Sequence, residues 1–510
     1  MLTRRIDVLM ALSPLRKSLV AACAGAIAAL GQAPFDLWPL TLIGLAVVHL
    51  MASALPRPLQ VARLWWAAGA GYFAVALSWI VEPFLVDIQT HGWMAPFALI
   101  FMAAGMALFW GAAGGLARFV AAGRGFRFAL ATTLTFVLIG YLRGLVFTGF
   151  PWALPGHVLI STPAVQWAQW MGAMGLGALI FLFATSLPLI WAAPLKRGLA
   201  WCAALAVVMA GGALLTPPTA DLTGRPIIRI VQPNVPQHEK WDRMLAPQHF
   251  DRTLSLTAQG IDPANPPALV VWPETSVPAW LEEVPHLMPT LSQAASGQPM
   301  VFGINRGEGQ RIFNAMALLG EGGEVRDVYD KHHLVPFGEY IPLGDLLGDL
   351  GLPGLSQRTG NGFSAGSGPR LMDIPGVGSA LPLICYEGVF PRDIAGAPGR
   401  PDFLLLITND AWFGKVSGPY QHLAQARLRA IEQGLPMIRA ANTGISALID
   451  PAGRLSGAMP LGTAGVRDLP LPPANLPTPY ARIGDLPIAA LVLLCLGVLV
   501  FGNRRRSAST

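Results

Sequence analysis

Three polar residues stand at or just beyond the ends of short apolar runs that predict buried strands. Glu274 lies in VVWPETSVP, Lys331 in YDKHHLVPFGEYIP and Cys385 in LICYEGVF. A thiol is a weak nucleophile until it loses its proton, so it needs a base or a positive charge nearby. Glu274 can serve as that base, while the ammonium of Lys331 and the backbone amide of Tyr386 can stabilise an oxyanion. Together these residues predict acyl-transfer chemistry at Cys385.

Cysteine usage sets Cys385 apart from the other three cysteines of the chain. Cys23, Cys202 and Cys495 lie inside long apolar stretches, where a thiol behaves as a small hydrophobic group. Residues 218–485 contain no second cysteine that could form an internal disulfide with Cys385. We therefore expect a free thiol at this position.

Each of these residues also has an ordinary structural interpretation when it is taken alone. Cys385 could be a buried structural thiol, Glu274 a turn acid and Lys331 part of a surface charge cluster. The adjacent His332 and His333 raise the possibility of a metal site. However, neighbouring strand residues point to opposite faces and no third ligand has a suggestive spacing. We expect neither a metal nor an organic cofactor.

The composition predicts a membrane protein. Only 13% of the residues are charged and the mean hydropathy is +0.49, which is too apolar for an ordinary soluble chain. The net charge of +6 is unevenly distributed, because residues 1–217 hold 12 Lys/Arg and four acids whereas residues 218–503 hold 20 bases and 25 acids. The basic excess thus belongs to the apolar part, and no basic stripe with interleaved aromatics supports a nucleic-acid partner.

Apolar stretches of spanning length predict eight transmembrane helices, seven before residue 218 and one near the end. These stretches are 18–33, 36–54, 64–84, 92–117, 127–149, 164–192, 198–216 and 486–502. Basic clusters occur on alternate connections, beginning at the amino terminus: Arg4/Arg5/Arg16/Lys17, Arg57/Arg63, Arg118/Arg124/Arg127, Lys196/Arg197 and Arg504/Arg505/Arg506. The positive-inside rule then places residues 218–485 outside the cytoplasm. A cleaved signal peptide at the first stretch is an alternative that leaves this block on the same side.

Residues 218–485 have the texture of a separate α/β domain. Short β-branched runs such as 227–235, 268–274, 300–304, 380–387 and 402–408 alternate with helix-like stretches at 246–260, 286–296 and 418–434. We therefore predict a transmembrane domain at 1–217, a catalytic domain at 218–485, and a final helix with a basic cytoplasmic tail at 486–510. The proline-rich segment 469–482 is typical of a stiff linker.

The order Glu, Lys, Cys in these surroundings resembles the nitrilase (carbon-nitrogen hydrolase) superfamily. More narrowly, VQPNVPQHEKWD, WPETSVP, DKHHLVPFGEYIP, ICYEGVFP and NDAWFG, with seven spans before and one after, resemble the apolipoprotein N-acyltransferase family of the bacterial inner membrane. Asp330 stands where soluble nitrilase relatives often have Arg, which also favours the acyltransferase branch. The resemblance implies an extracytoplasmic nitrilase-like α-β-β-α sandwich carried by about eight transmembrane helices.

The resemblance also implies a role for individual residues. Glu274 would be the general base, Lys331 the oxyanion stabiliser and Cys385 the acylated nucleophile. The further residues that the activity would need are Glu339, Tyr386, Glu387 and Trp241. Without the resemblance, Trp241 is as easily a core aromatic, Glu339 a loop acid and Glu387 an acid at a helix start.

The implied reaction moves a fatty acyl chain from a membrane phospholipid, through a Cys385 thioester, to the N-terminal amine of a diacylglyceryl-cysteine on an apolipoprotein. The expected setting is the bilayer of the bacterial inner membrane, with a monomer whose catalytic domain faces the periplasm. A membrane-tethered amidase would share the three residues but pass the acyl group to water. A transporter or sensor would need paired charges inside its spans, and apart from Arg143 the spans offer almost none.

Overall fold

The computed structural model describes residues 11–121, 125–190, 194–262, 264–342 and 362–507. Arg4, Arg5, Arg124 and the side chains of the basic tail at 504–506, which the orientation argument uses, lie outside this description. The chain forms two compact units. The first contains Met1–Pro217, Val416–Gln433 and Pro477–Thr510, and the second contains Pro218–Lys415 and Gly434–Leu476.

The longer helices are α1 (Pro14–Ala29), α2 (Trp38–Ser53), α3 (Pro58–Ala76), α4 (Ala95–Val120), α5 (Phe126–Arg143), α6 (Ala168–Ile190), α7 (Pro194–Leu215), α8 (Ala246–Ala258), α9 (Met288–Ala294), α10 (Gly418–Gln433) and α11 (Leu486–Ser507). Short helical segments lie at Glu82–Leu85, Ile88–His91, Pro391–Ala395 and Pro479–Ile483. All of the longer helices except α8 and α9 belong to the first unit.

The number of spans differs from the eight that the sequence predicts. Within the described residues, four helical stretches are long and apolar enough to cross a bilayer: Ile88–Val120, Phe126–Arg143, Pro163–Ile190 and Pro194–Leu215. A fifth is added if Pro58–Ala76 and Ser78–Leu85, which meet at a bend of 64°, form one span. Helix α2 and the apolar part of α11, Leu486–Phe501, are shorter than the roughly 20 residues a span needs. The prediction of eight was wrong by this measure, because hydropathy counts apolar residues across turns that interrupt the helices.

Small residues allow two helices of the first unit to touch backbone to backbone. A Cβ added at Gly25 of α1 would lie 1.8 Å from the carbonyl oxygen of Ala68 in α3. A Cβ at Gly71 of α3 would lie 1.9 Å from the carbonyl oxygen of Ala22. In a bilayer, lipid is as apolar as the helices, so the hydrophobic effect does not drive helices together. Close backbone contacts at small residues provide van der Waals packing that stabilises the helix pair instead.

Helix α10 is polar in sequence yet buried within the first unit. Within α10, Oε1 of Gln421 accepts a hydrogen bond from Nε1 of Trp152 at 2.7 Å. Farther along, Oε1 of Glu432 accepts from the backbone N–H of Ala173 at 3.0 Å and from Arg429 at 2.8 Å. These bonds offset much of the cost of burying polar groups, and they tie α10 to residues of the amino-terminal helical region.

The second unit contains two β-sheets. The strands of the first sheet are β1 (Ile227–Gln232), β2 (Leu269–Val271), β3 (Val277–Trp280), β4 (Met300–Glu308), β5 (Arg311–Leu319), β6 (Val325–Asp330) and β13 (Gly465–Pro470), and those of the second are β7 (Met372–Ile374), β8 (Gly378–Ile384), β9 (Phe403–Thr408), β10 (Met437–Ala441), β11 (Ala447–Ile449) and β12 (Leu455–Ser456). The first sheet has the order β13-β1-β2-β4-β5-β6, with β3 also beside β4, and the second has the order β12-β11-β10-β9-β8-β7. Parallel pairs occupy the middle of each sheet and antiparallel pairs the edges.

The hydrophobic core of this unit lies between the two sheets. Ile230 and Val271 of the first sheet share a buried cluster with Ile384 and Leu405 of the second. A second buried cluster joins β2 and β4 to α8 and α9, with Leu291 fully enclosed. Helices and two stacked sheets thus give three layers of the expected α-β-β-α sandwich.

A fully buried ion pair between β10 and the segment after β9 gives a test of stability. Arg439 and Asp410 are 2.5 Å apart with both side chains inaccessible to water. Asp410→Asn leaves the guanidinium without its charge partner, so we expect unfolding to become easier by about 3–5 kcal/mol. Thermal denaturation in detergent checks this result. Glu324→Gln, which breaks the exposed pair with Arg326, serves as the control and should leave the melting temperature unchanged.

Candidate active site

The ends of strands from both sheets position the three residues that the sequence singles out. Glu274 follows β2 by three residues, Lys331 directly follows β6, and Cys385 directly follows β8. The backbone N–H of Lys331 donates to the carbonyl of Asn314 at 2.9 Å, which extends the pairing of β5 with β6. The side chains therefore start from a rigid framework and not from long loops.

Lys331 lies between two carboxylates. Its Nζ is 2.7 Å from Oε1 of Glu339 and 3.7 Å from Oε1 of Glu274. The lysine side chain is only 1% exposed. Burial alone would lower the pKa of Lys331, but the carboxylates of Glu339 and Glu274 outweigh burial and raise that pKa above its ordinary value. The structure therefore brings Glu274, Lys331 and Glu339 together, with the lysine charged at neutral pH.

Neutral donors from both sheets orient the carboxylate of Glu274. The Nδ2 of Asn314, on β5, donates to Oε1 at 2.7 Å. The backbone N–H of Asn409, which follows β9, donates to Oε2 at 2.8 Å. Each oxygen of Glu274 thus accepts a hydrogen bond from a fixed neutral donor, and Oε1 also faces the ammonium of Lys331. A base held in this way keeps its orientation when it gains or loses a proton.

The thiol of Cys385 is buried beside these charges. The residue is 5% exposed, and its φ of 52° lies in the left-handed region, which is strained for a side chain other than glycine. Burial raises the pKa of this thiol, the charge of Glu274 raises it further, and the ammonium of Lys331 partly opposes both effects. The resting thiol is therefore protonated, and a nucleophile forms only when a base removes its proton.

Glu387 connects the segment after Lys331 to the turn that carries Cys385. Its side chain is fully buried. Its Oε2 accepts from the backbone N–H of Ile384 at 2.7 Å, and its Oε1 accepts from the backbone N–H of His332 at 2.7 Å. Because Ile384 precedes the cysteine and His332 follows the lysine, Glu387 fixes the two catalytic candidates relative to each other.

Tyr386 and Trp241, which the resemblance also implicates, lie in different surroundings. Tyr386 is buried, with its ring edge-on to His333 and Phe390 at centroid distances of 5.5 and 4.8 Å. Trp241 is 53% exposed. Its neighbour Lys240 is the residue that reaches the site, since its Nζ donates to the backbone oxygen of Glu274 at 3.2 Å.

Sequence reasoning did not identify Lys240, Asn314 or Asn409. Lys240 stands next to Trp241 in HEKWD, but no periodicity tells which of two neighbours in a turn faces inward. Asn409 acts here through its backbone, so its side-chain type carries no signal for this contact. Asn314 lies within the largely apolar strand β5, and its role is recognised only from its contacts with Glu274 and Glu339.

The two adjacent histidines contact carboxylates. His332 Nδ1 lies 2.6 Å from Oε1 of Glu387, and His333 Nδ1 lies 2.7 Å from Oδ2 of Asp393. Burial alone would lower the pKa of His332, but Asp393 and Glu387 together raise it to about 9. In the part of the chain that the structure describes, no group of three or more His, Cys, Asp or Glu side chains is arranged to hold a metal ion.

Two family models match the chain. Residues 228–475 match the carbon-nitrogen hydrolase model, the class that the stacked sheets and the Glu274–Lys331–Cys385 arrangement define. Residues 24–186 match the apolipoprotein N-acyltransferase N-terminal domain. Among solved structures, an amidase from Nesterenkonia sp. aligns with 54% of this chain and 98% of its own length, at 20% identity and a TM-score of 0.37.

Curated relatives cover nearly the whole chain. An apolipoprotein N-acyltransferase from Rhodopseudomonas palustris is 37% identical over 96% of this chain and 96% of its own length. Another from Caulobacter vibrioides is 38% identical over 93% and 92%. The chain therefore belongs to the apolipoprotein N-acyltransferase family. It is a membrane protein and an enzyme with an acyltransferase activity.

The raised pKa of His332 predicts a pH-dependent stability. An imidazolium whose pKa is higher in the folded than in the unfolded protein stabilises fully below the ordinary value of 6.5, and this stabilisation is lost as the pH rises through about 9. We expect the melting temperature of the wild type to fall between pH 6 and pH 10. The fall should be smaller in His332→Gln, which lacks the imidazolium. Thermal unfolding across that range measures the difference. The exposed His286→Gln should follow the wild type, and a parallel fall in all three proteins would contradict the assignment to His332.

Proposed function

We propose that the protein transfers a fatty acyl chain from a membrane phospholipid, through a thioester on Cys385, to the N-terminal amine of diacylglyceryl-cysteine on apolipoproteins. The observation that carries this proposal is the buried thiol beside the Glu274–Lys331–Glu339 charge cluster in a member of this family. The chemistry needs no metal or organic cofactor. Glu274, Lys331 and Cys385 are its catalytic residues.

The first step forms the thioester. Glu274 takes the proton from Sγ of Cys385, and the thiolate attacks the carbonyl carbon of the phospholipid ester. The negative charge that develops on the carbonyl oxygen is stabilised by the ammonium of Lys331 and the backbone N–H of Tyr386, each donor being worth about 3–4 kcal/mol. The ester C–O bond then breaks, and Glu274 returns the proton to the leaving lysophospholipid alcohol.

The second step consumes the thioester. The acceptor amine attacks the thioester carbonyl while Glu274 takes a proton from the nitrogen. The C–S bond then breaks, and Glu274 gives its proton to Sγ, which restores the Cys385 thiol and the free carboxylate. Burial of the site supports transfer over hydrolysis, because Glu274 and Cys385 are 6% and 5% exposed and water has little access. Glu339 keeps Lys331 oriented through both steps, and Glu387 keeps the lysine and cysteine segments in register.

The setting follows from the substrates and the charge pattern. Both the donor and the acceptor carry acyl chains whose extraction from a bilayer is costly, so an enzyme that is itself held in the membrane meets them where they are. With Arg57, Arg63, Lys196 and Arg197 on the cytoplasmic side, residues 218–485 face the periplasm of the bacterial inner membrane. We propose that Trp241, exposed near this site, contributes to lipid recognition and that the enzyme works as a monomer.

Labelled phospholipid tests the thioester directly. We expect the wild type to acquire one hydroxylamine-sensitive acyl group on Cys385 that persists until an amine acceptor is added. Cys385→Ala should acquire none, whereas Cys202→Ala, which removes a free cysteine from α7, should behave as the wild type. Mass spectrometry of the Cys385 peptide makes the measurement. Rapid loss of the acyl group to water would support a membrane-tethered amidase instead.

Replacing the base tests the proton transfer. Glu274→Gln keeps the shape of the side chain but cannot accept the thiol proton, so thioester formation should slow by about 10²–10⁴-fold. Rapid-quench measurement of the first turnover isolates this step. The exposed Glu283→Gln is the matched control, and an unchanged first turnover in Glu274→Gln would remove Glu274 from the mechanism.

A further inference from the structure

A second buried ammonium lies beside the catalytic cluster. Lys240 follows β1 by eight residues, is 5% exposed, and donates through Nζ to the backbone oxygen of Glu274 at 3.2 Å. The next residue along the chain, Trp241, is half-exposed. The turn therefore directs the lysine inward, although burying a lysine is costly unless its charge has a use or a partner.

The charged groups that face Lys240 are few. The carboxylate of Glu274 and the thiol of Cys385 both interact with its charge. A small cavity of about 20 Å³ is lined by Lys240 and Glu274 together with His249 and Asn442. His249 is itself held by Glu239, with Nε2 2.9 Å from Oε2.

The charges in this buried site balance only when Lys240 is included. Glu274 and Glu339 contribute two negative charges, and Lys331 contributes one positive charge that the two carboxylates share. Lys240 supplies the second positive charge. Without it, a nearly water-free site would hold a net charge of −1, and a further negative charge on the thiol would be harder to form.

We propose that Lys240 is a positioning residue of the acyl-transfer site, which holds the backbone of Glu274 and supplies the positive charge that offsets the second carboxylate when the Cys385 thiolate forms. The proposal rests on the proposed function for the identity of the reaction. Its electrostatic content, an effect of Lys240 on the ionisation of Cys385, is independent of any acyl donor.

The charge of Lys240 can be varied within an accessible pH range. Burial lowers the pKa of Lys240 to about 8, although Glu274 and Cys385 oppose that shift. The wild type therefore loses this positive charge as the pH rises through about 8. An arginine at the same position stays charged throughout. Lys240→Arg and Lys240→Met thus separate the charge from the presence of a side chain.

Alkylation of Cys385 by iodoacetamide measures thiol ionisation without any lipid. The full-length protein in detergent is reacted between pH 6 and pH 10, and the Cys385 peptide is followed by mass spectrometry. We expect Lys240→Met to react about tenfold more slowly than the wild type at pH 7, the effect of one nearby charge on a buried group. Lys240→Arg should match the wild type at pH 7 and exceed it several-fold at pH 9. The exposed Arg243→Met, three residues away, should follow the wild type at every pH.

Two results would overturn the proposal. One is a wild-type alkylation rate in a folded Lys240→Met protein. The other is a Lys240→Arg profile that follows the wild type from pH 6 to pH 10, which decides the matter even when Lys240→Met has a lowered melting temperature. A wild type that forms no acyl adduct with labelled phospholipid, yet shows the expected alkylation pattern, would defeat the proposed function and leave the role of Lys240 standing.

Discussion

The ammonium of Lys331, shared by Glu274 and Glu339, is the interaction on which the catalytic unit depends. Two carboxylates in a buried site repel each other, and a cation between them offsets that repulsion; here its Nζ lies 3.7 Å from Glu274 and 2.7 Å from Glu339. In the proposed mechanism, the same cation must also leave Glu274 free to take and return a proton. The two contacts are unequal: Glu339 holds the lysine closely, whereas the orientation of Glu274 is fixed by its neutral donors Asn314 and Asn409.

Such an arrangement needs both sheets in place. Glu274 extends from the first sheet, while the N–H that fixes one of its oxygens comes from Asn409 at the end of the second. Cys385 belongs to the hydrophobic core between the sheets, and Glu387 bridges the segments around it. The apolar packing that stabilises the sandwich therefore also sets the distances between Glu274, Lys331 and Cys385.

Much of the site can be predicted from sequence, because a buried strand that ends in a single polar residue is a local pattern. Glu274, Lys331 and Cys385 are all of this kind. Lys240 does not follow this pattern. It lies in a turn, and the sequence of a turn does not show which of two neighbouring side chains points into the protein. The number of spans failed for a related reason, as hydropathy does not register the turns that end α1 and α2 after 16 residues each. The polar sequence of α10 resembles that of a solvated helix. In the structure, however, Trp152 and Ala173 donate the hydrogen bonds that water would otherwise give to Gln421 and Glu432.

The path of the chain between the two compact units limits how the protein can be dissected. The chain leaves the first unit at Pro217, returns to it for Val416–Gln433, and returns again at Pro477. A fragment cut after Pro217 and before Pro477 would carry α10 away from the groups that Gln421 and Glu432 bind. The excised fragment would thus expose a helix whose surface is adapted to a protein interior, so residues 218–476 are not a free-standing module.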